Sequence, residues 1–198
     1  MTQTAVMQRW RSAPYAAPIA VILGSLVLAA SAYVEAPMWP VPITLQTYAV
    51  CVIGALFGAR LAAATVAAYL IEGALGLPVF AGGAGGFAHL LGPTGGYLAG
   101  FLFAAPLIGA LIERGWKSFT ALLAAMLLGH VVIFALGVLQ LQLFVGWTAA
   151  WTGGVAPFLG GLQILDLGEN DIGLGVMRQI IQRRHDRPPV HLALIYLL

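Results

Sequence analysis

The chain has 198 residues, of which 61% are hydrophobic and 8% charged, with a net charge of +2 and a mean hydropathy of +0.94; a soluble domain carries about 25% charged residues. Nine basic and seven acidic residues cannot clothe such a chain in solvated surface. This excludes a soluble enzyme, a nucleic-acid binder and a disordered protein, and leaves an all-α polytopic membrane protein whose main partner is the lipid bilayer.

Segments 12–34, 36–59, 61–71, 73–112 and 118–165 contain no Asp, Glu, Lys or Arg, and a spanning helix needs about 20 apolar residues. Five helices are predicted near 14–34, 44–59, 61–77, 94–113 and 118–142, broken by the Pro- and Gly-rich clusters 37–42, 78–96 and 153–161. A sixth is predicted to begin near Pro157, since Pro suits the first turn of a helix. Arg9 and Arg11 before an apolar 18–28 segment and Ala30-Ser31-Ala32 imitate a secretory signal. Its removal would leave an odd number of spans, so the first helix is read as retained.

Basic residues collect in cytoplasmic loops. Arg9 and Arg11 precede helix 1, Arg60 separates helices 2 and 3, Arg114 and Lys117 separate helices 4 and 5, and Arg178, Arg183, Arg184 and Arg187 lie in the tail. The opposite loops, near 35–43, 78–93 and 143–156, have none. All nine basic residues therefore fall on one side of a six-span arrangement with both termini cytoplasmic, in the inner membrane.

No Walker A loop is present: the only lysine is Lys117, in Arg-Gly-Trp-Lys. His89, His130, His185 and His191 lack the spacing and the Cys or Glu company of a metal site, and read as satisfied or interfacial side chains. Cys51 reads as a small buried hydrophobe. Neither a GxSxG elbow nor an intramembrane aspartyl pair appears, so the chain is read as not an enzyme, with no metal and no cofactor.

The loop after helix 3 is richer. Eight glycines fall between Gly82 and Gly100, among them Gly82, Gly83, Gly85 and Gly86. They serve either close approach to a ligand, including an anion-binding nest, or tight turns and helix packing. Thr94 reads as the N-cap of the following helix. Facing this loop, 41–47 (VPITLQT) opens helix 2, with Thr44 and Thr47 as candidate caps and Gln46 able to donate to and accept from an amide or urea. Glu72, near the end of helix 3, is an intramembrane acid and so a site candidate, or a carboxylate reaching interfacial water. Tyr33, Trp39, Phe80, Phe87 and Tyr97 either wall an apolar pocket or form an interfacial belt.

Three segments, VPITLQT (41–47), GLPVFAGGAGG (76–86) and LGPTGGYLAGF (91–101), resemble the signature segments of the BioY family, the biotin-binding S components of energy-coupling-factor transporters. The resemblance implies a six-helix bundle that captures biotin at its outer face and is driven by a separate transmembrane coupling subunit and a pair of ATPases. On that reading biotin's ring system lies against Phe80, Phe87 or Tyr97, its urea near Gln46 or Glu72 beside Thr44, and the backbone of Gly82, Gly83, Gly85 and Gly86 lines the pocket. The family's contact to the coupling subunit uses small residues spaced by four on helix 1, here Ala16 and Ala20 continued by Gly24, with Ala13/Ala17 as the alternative register. A membrane scaffold, or a headgroup-binding enzyme using the glycine-rich loop, is the competing class.

The resemblance stops at Gly161. The family pattern continues Pro-Phe-Leu-x-Gly-Asp-x-x-Lys, with an acid and a lysine that take part in binding, whereas Leu162-Gln163-Ile164-Leu165 stand in their place. Residues 1–161 are thus read as the membrane domain and 162–198 as an atypical charged tail, which makes the sixth helix doubtful. Either the sequence has diverged or its reading frame changes just after Gly161.

Overall fold

The structure is a computed structural model and describes residues 15–156; the expected sixth helix and the tail lie outside the described residues. Each charge-poor segment is helical: α1 is Ala16–Ala32, α2 Gln46–Phe57, α3 Ala59–Ala74, α5 Gly95–Glu113 and α6 Phe119–Val145. Between α3 and α5 lie a 3-10 turn, Ala81–Gly83, and the one-turn helix α4, Phe87–Leu90. A two-residue ribbon pairs β1 (Glu35–Ala36) antiparallel with β2 (Ile43–Thr44) across the proline-rich segment.

Two boundaries differ from the sequence reading. The α2–α3 turn is made at Gly58, whose φ of +77° suits glycine, so Arg60 sits in the first turn of α3 rather than between helices. Residues 147–154, read as loop, form α7 (Trp147–Gly154) after a break at Gly146. The break is again a glycine with positive φ, and its N–H closes α6 by donating to the Gln142 carbonyl.

α5 is the central element and packs against α2, α3 and α6. Small residues allow the close approach: a Cβ on Gly100 would stand 2.7 Å from Cα of Ile133, and one on Gly54 would stand 2.7 Å from the Ala105 carbonyl oxygen. Within the bundle, Leu28, Val50, Val66, Tyr69, Phe80, Ala104 and Ile133 form one buried cluster. Outside it, Ile22, Leu23, Leu26 and Val27 on α1 and Leu127, Val131, Leu139 and Leu143 on α6 are exposed, an apolar girdle suited to lipid rather than water.

Among the described residues every buried side-chain nitrogen and oxygen has a hydrogen-bond partner, as a hydrocarbon surrounding demands. Cys51 is buried as expected, and the His130 ring is satisfied by the Met126 carbonyl at 2.8 Å. At the end of the bundle carrying Arg60, Arg114 and Lys117, the Glu113 carboxylate accepts the Ala59 N–H at 3.0 Å, fastening the start of α3 to the end of α5.

Candidate functional site

Thr44, Gln46, Thr47, His89 and Thr94 come together at the opposite end, where the loops before α2 and after α3 meet. The phenol of Tyr33, at the end of α1, donates to the Pro78 carbonyl, and Tyr97 donates to the Gly154 carbonyl at 3.1 Å. These bonds draw the α3–α5 loop and α7 around the start of α2.

Between them lies a cleft of about 50 Å³, open on one side, room for about three to five water molecules at 10–15 Å³ each. Thr44, Gln46, Phe80 and Tyr97 line it, four of the residues singled out in the sequence. Val41, Pro42 and Leu98 add apolar wall.

Gln46 is 4% exposed and its amide is held on both sides. The Thr44 hydroxyl donates to Oε1 at 3.2 Å and accepts the Gln46 backbone N–H at 3.3 Å. Nε2 donates to the Tyr69 hydroxyl, which donates onward to the Val79 carbonyl at 2.9 Å. A primary amide has two N–H donors and two acceptor lone pairs, so one donor and one acceptor remain unused.

Neither threonine is the helix cap expected of it: the N-cap is Leu45, with no side-chain cap bond, Thr44 precedes it and accepts the Gln46 N–H, and Thr47 is a buried cleft residue inside α2. The Phe80 ring is fully buried, edge-on to Tyr69 at 5.5 Å and stacked on His89 at 5.2 Å. Gly73 makes room for it, since a Cβ there would enter the ring.

The structure does not bring the remaining candidates to the cleft. Gly82, Gly83 and Gly86 have φ of +66°, +70° and +95°, conformations that favour glycine, and Gly85 passes close to the Leu77 carbonyl. The Gly83 N–H is spent on Phe80 O at 3.0 Å and that of Gly86 on Gly73 O at 2.7 Å, so two of the loop's glycine N–H groups serve turns. The loop serves the cleft indirectly, by turning Phe80 inward.

Phe87, Tyr33 and Trp39 are exposed and outside the cleft lining, the Tyr33 hydroxyl being turned to the Pro78 carbonyl. Glu72 faces α1, accepting the Ser25 hydroxyl at 3.0 Å. On α1 itself Ala16 and Gly24 are buried, and a Cβ on Gly24 would stand 2.5 Å from Cγ2 of Thr65. That register packs within the chain, while Ala17 is exposed.

His89 and Thr94, read in the sequence as a satisfied histidine and a helix cap, line the cleft. The Thr94 hydroxyl makes no cap bond to α5 and instead meets His89 Nε2 at 3.0 Å. Burial lowers the His89 pKa from its ordinary value, so the ring is neutral near pH 7. Their spacing across Gly92-Pro93 was the available signal. No charged side chain lines the cleft among the described residues.

A bundle of apolar helices holding a small, uncharged, hydrogen-bonding cleft at one end defines a membrane protein that binds a small solute. The chain belongs to the BioY family, whose sequence profile matches residues 4–166. It is 41% identical to the probable biotin transporter BioY of Pyrococcus horikoshii, over 65% of this chain and 75% of that protein. It is 42% identical to the biotin transporter BioY of Thermotoga maritima, over 60% and 70% of the two chains. Its fold is similar to a crystal structure of the S-component for biotin from an ECF-type ABC transporter, with a TM-score of 0.60 and 27% identity over 74% of this chain and 78% of that one.

Proposed function

We propose that this chain captures biotin in the cleft at the end of its helices and serves as the substrate-binding subunit for biotin uptake by an energy-coupling-factor transporter. The observation that carries the reading is the spare capacity of Gln46: one donor and one acceptor side by side, fixed by Thr44 and Tyr69. A cyclic urea presents the same pair in complementary order. Phe80 and Tyr97 supply apolar surface for the fused rings, and the acyl chain leaves through the open side past Thr94. Glu72, Phe87 and the glycines of 82–86 shape the surroundings without touching the ligand.

The cleft end faces outward and the end bearing Arg60, Arg114 and Lys117 faces the cytoplasm of the inner membrane, in accord with the distribution of basic loops. Energy comes from a coupling subunit and its ATPase pair, because this sequence has no nucleotide-binding loop of its own. The coupling subunit meets α1 through its exposed residues, Ala17 at the start of the helix among them, while Gly24 packs within the chain against Thr65. The headgroup reading of the glycine-rich loop is disfavoured by the N–H groups of Gly83 and Gly86, which are spent on the Phe80 and Gly73 carbonyls.

Radiolabelled biotin added to the detergent-purified protein tests this reading. Saturable binding at one site per chain, competed by unlabelled biotin, is expected; absence of binding by folded protein overturns it.

A further inference from the structure

The wall of the cleft formed by residues 87–97 is held from behind by one side chain outside the cleft, Gln140 on α6. Its Nε2 donates to the Leu90 carbonyl at 3.2 Å and the Gly92 carbonyl at 2.7 Å. Leu90 ends α4, and Gly92 begins the turn into α5. A primary amide is suited to this task because it offers two N–H donors from one atom, and it fixes two carbonyls on either side of Leu91. Gly95 and Gly96 make the reach possible: a Cβ on Gly95 would stand 2.7 Å from Nε2, and one on Gly96 2.7 Å from Cβ of Gln140. The anchored segment carries His89 and Thr94, which face the cleft joined by their 3.0 Å bond, with the His89 ring lying on Phe80.

We infer that Gln140 is a positioning residue for substrate capture: by clamping the Leu90 and Gly92 carbonyls it sets His89 and Thr94 as a fixed polar wall of the binding cleft. The inference rests on the biotin-capture reading and adds to it a residue that does not touch the ligand. In a site this small, a wall displaced by a fraction of an ångström changes which hydrogen bonds a ligand can make.

The test titrates biotin into the full-length protein and its Gln140→Leu, Gln140→Glu, His89→Ala and His89→Ala/Gln140→Leu variants, with the unfolding temperature of each ligand-free protein measured beside it. Gln140→Leu is expected to bind about tenfold more weakly, the scale of two lost neutral hydrogen bonds. The double variant is expected to bind no more weakly than the weaker single variant, because Gln140 acts through the segment that carries His89. Gln140→Glu keeps the shape but lacks the NH2 group, and it must lose affinity too; it carries the test if the Leu variant does not fold.

Parent-like affinity in Gln140→Glu overturns the assignment. So do losses that add in the double variant, since these mark an effect that does not run through the segment carrying His89. A folded parent that fails to bind biotin overturns the capture reading and this inference with it, whereas a binding parent with equally binding Gln140 variants overturns the positioning role alone.

Discussion

Replacing Gln46 by Leu is the sharpest test of the cleft, because the side chain keeps its bulk and loses every hydrogen bond. In the free protein it deletes the bond from Thr44 at 3.2 Å and the bond to Tyr69. Tyr69 keeps its donor bond to Val79 at 2.9 Å, whereas the buried Thr44 hydroxyl loses the acceptor it donates to. Two neutral bonds contribute about 1–3 kcal/mol in sum, and the apolar side chain at a site only 4% exposed recovers part of that. In the bound state the variant also forfeits the spare donor and acceptor offered to the urea, again about 1–3 kcal/mol, or roughly one to two decades in Kd. Tyr69→Phe is the matched control: it removes the acceptor behind Nε2, but the amide stays pinned by Thr44, and affinity should remain within about threefold. Calorimetric titration with biotin and thermal unfolding of the ligand-free proteins measure both quantities. Unchanged affinity in a folded Gln46→Leu protein would remove the amide from the site. Equal affinity losses in the two variants would make the network scaffolding for the cleft rather than part of its contact with the ligand.

Burial keeps His89 neutral below its ordinary pKa, about 6.5, so biotin affinity should be flat from pH 8 to 7 and fall only at more acidic pH, with His89→Gln abolishing that acid limb; an unaltered profile in the variant would refute it. The same depressed pKa means that the unfolded chain takes up a proton first, so stability falls as the pH drops below about 6.5, which a melting series resolves. Trp in place of the exposed Ala17 should preserve biotin binding and abolish uptake when the coupling subunit is co-expressed, whereas Gly24→Val, forced against Thr65, should lower the unfolding temperature; normal uptake by Ala17→Trp cells would move the coupling contact elsewhere. Gly83→Val places a β-branched residue at a φ of +70°, costing about 1–3 kcal/mol, and a melting temperature equal to the parent's would show that the turn relaxes freely. For the tail, sequencing the gene around Gly161 separates the two readings: a one-base shift that restores an Asp-x-x-Lys pattern makes residues 162–198 a frame alteration, while a confirmed frame together with tight biotin binding shows that the family's acid and lysine are dispensable here.

The spans were legible because charge is so scarce that its absence marks membrane, but the turns were not, because charge and backbone conformation mark different things. Arg60 signals where the chain leaves the hydrocarbon, while Gly58 makes the bend, and Gly146 divides α6 from α7 within one charge-free run. Composition likewise left the roles of the glycines open. Gly82, Gly83 and Gly86 are needed for positive φ, and Gly95 and Gly96 for close approach to Gln140; neither purpose is the ligand contact that the resemblance implied. Glu72 shows the non-local part of the problem, since its partner Ser25 lies 47 residues away and no pattern around either residue announces the pairing.

A physical rule connects the residues that were read well with those that were missed. In an apolar chain each polar side chain must find a partner, so being polar is weak evidence of function, and the informative quantity is the capacity left after internal bonds are made. Glu72 keeps acceptor capacity beyond its bond from Ser25 but lies outside the cleft lining, and Gln140 places both of its donated bonds on backbone carbonyls. Gln46 is engaged on two sides and still has one donor and one acceptor over, at the bottom of a cleft. His89 and Thr94 consume one another's nearest groups, yet a neutral ring nitrogen and the remaining lone pair of a hydroxyl stay available on the same wall. Those groups are uncharged, and a site built from them selects a solute by the order of its donors and acceptors rather than by its net charge, which is the discrimination a cyclic urea fused to an apolar ring requires.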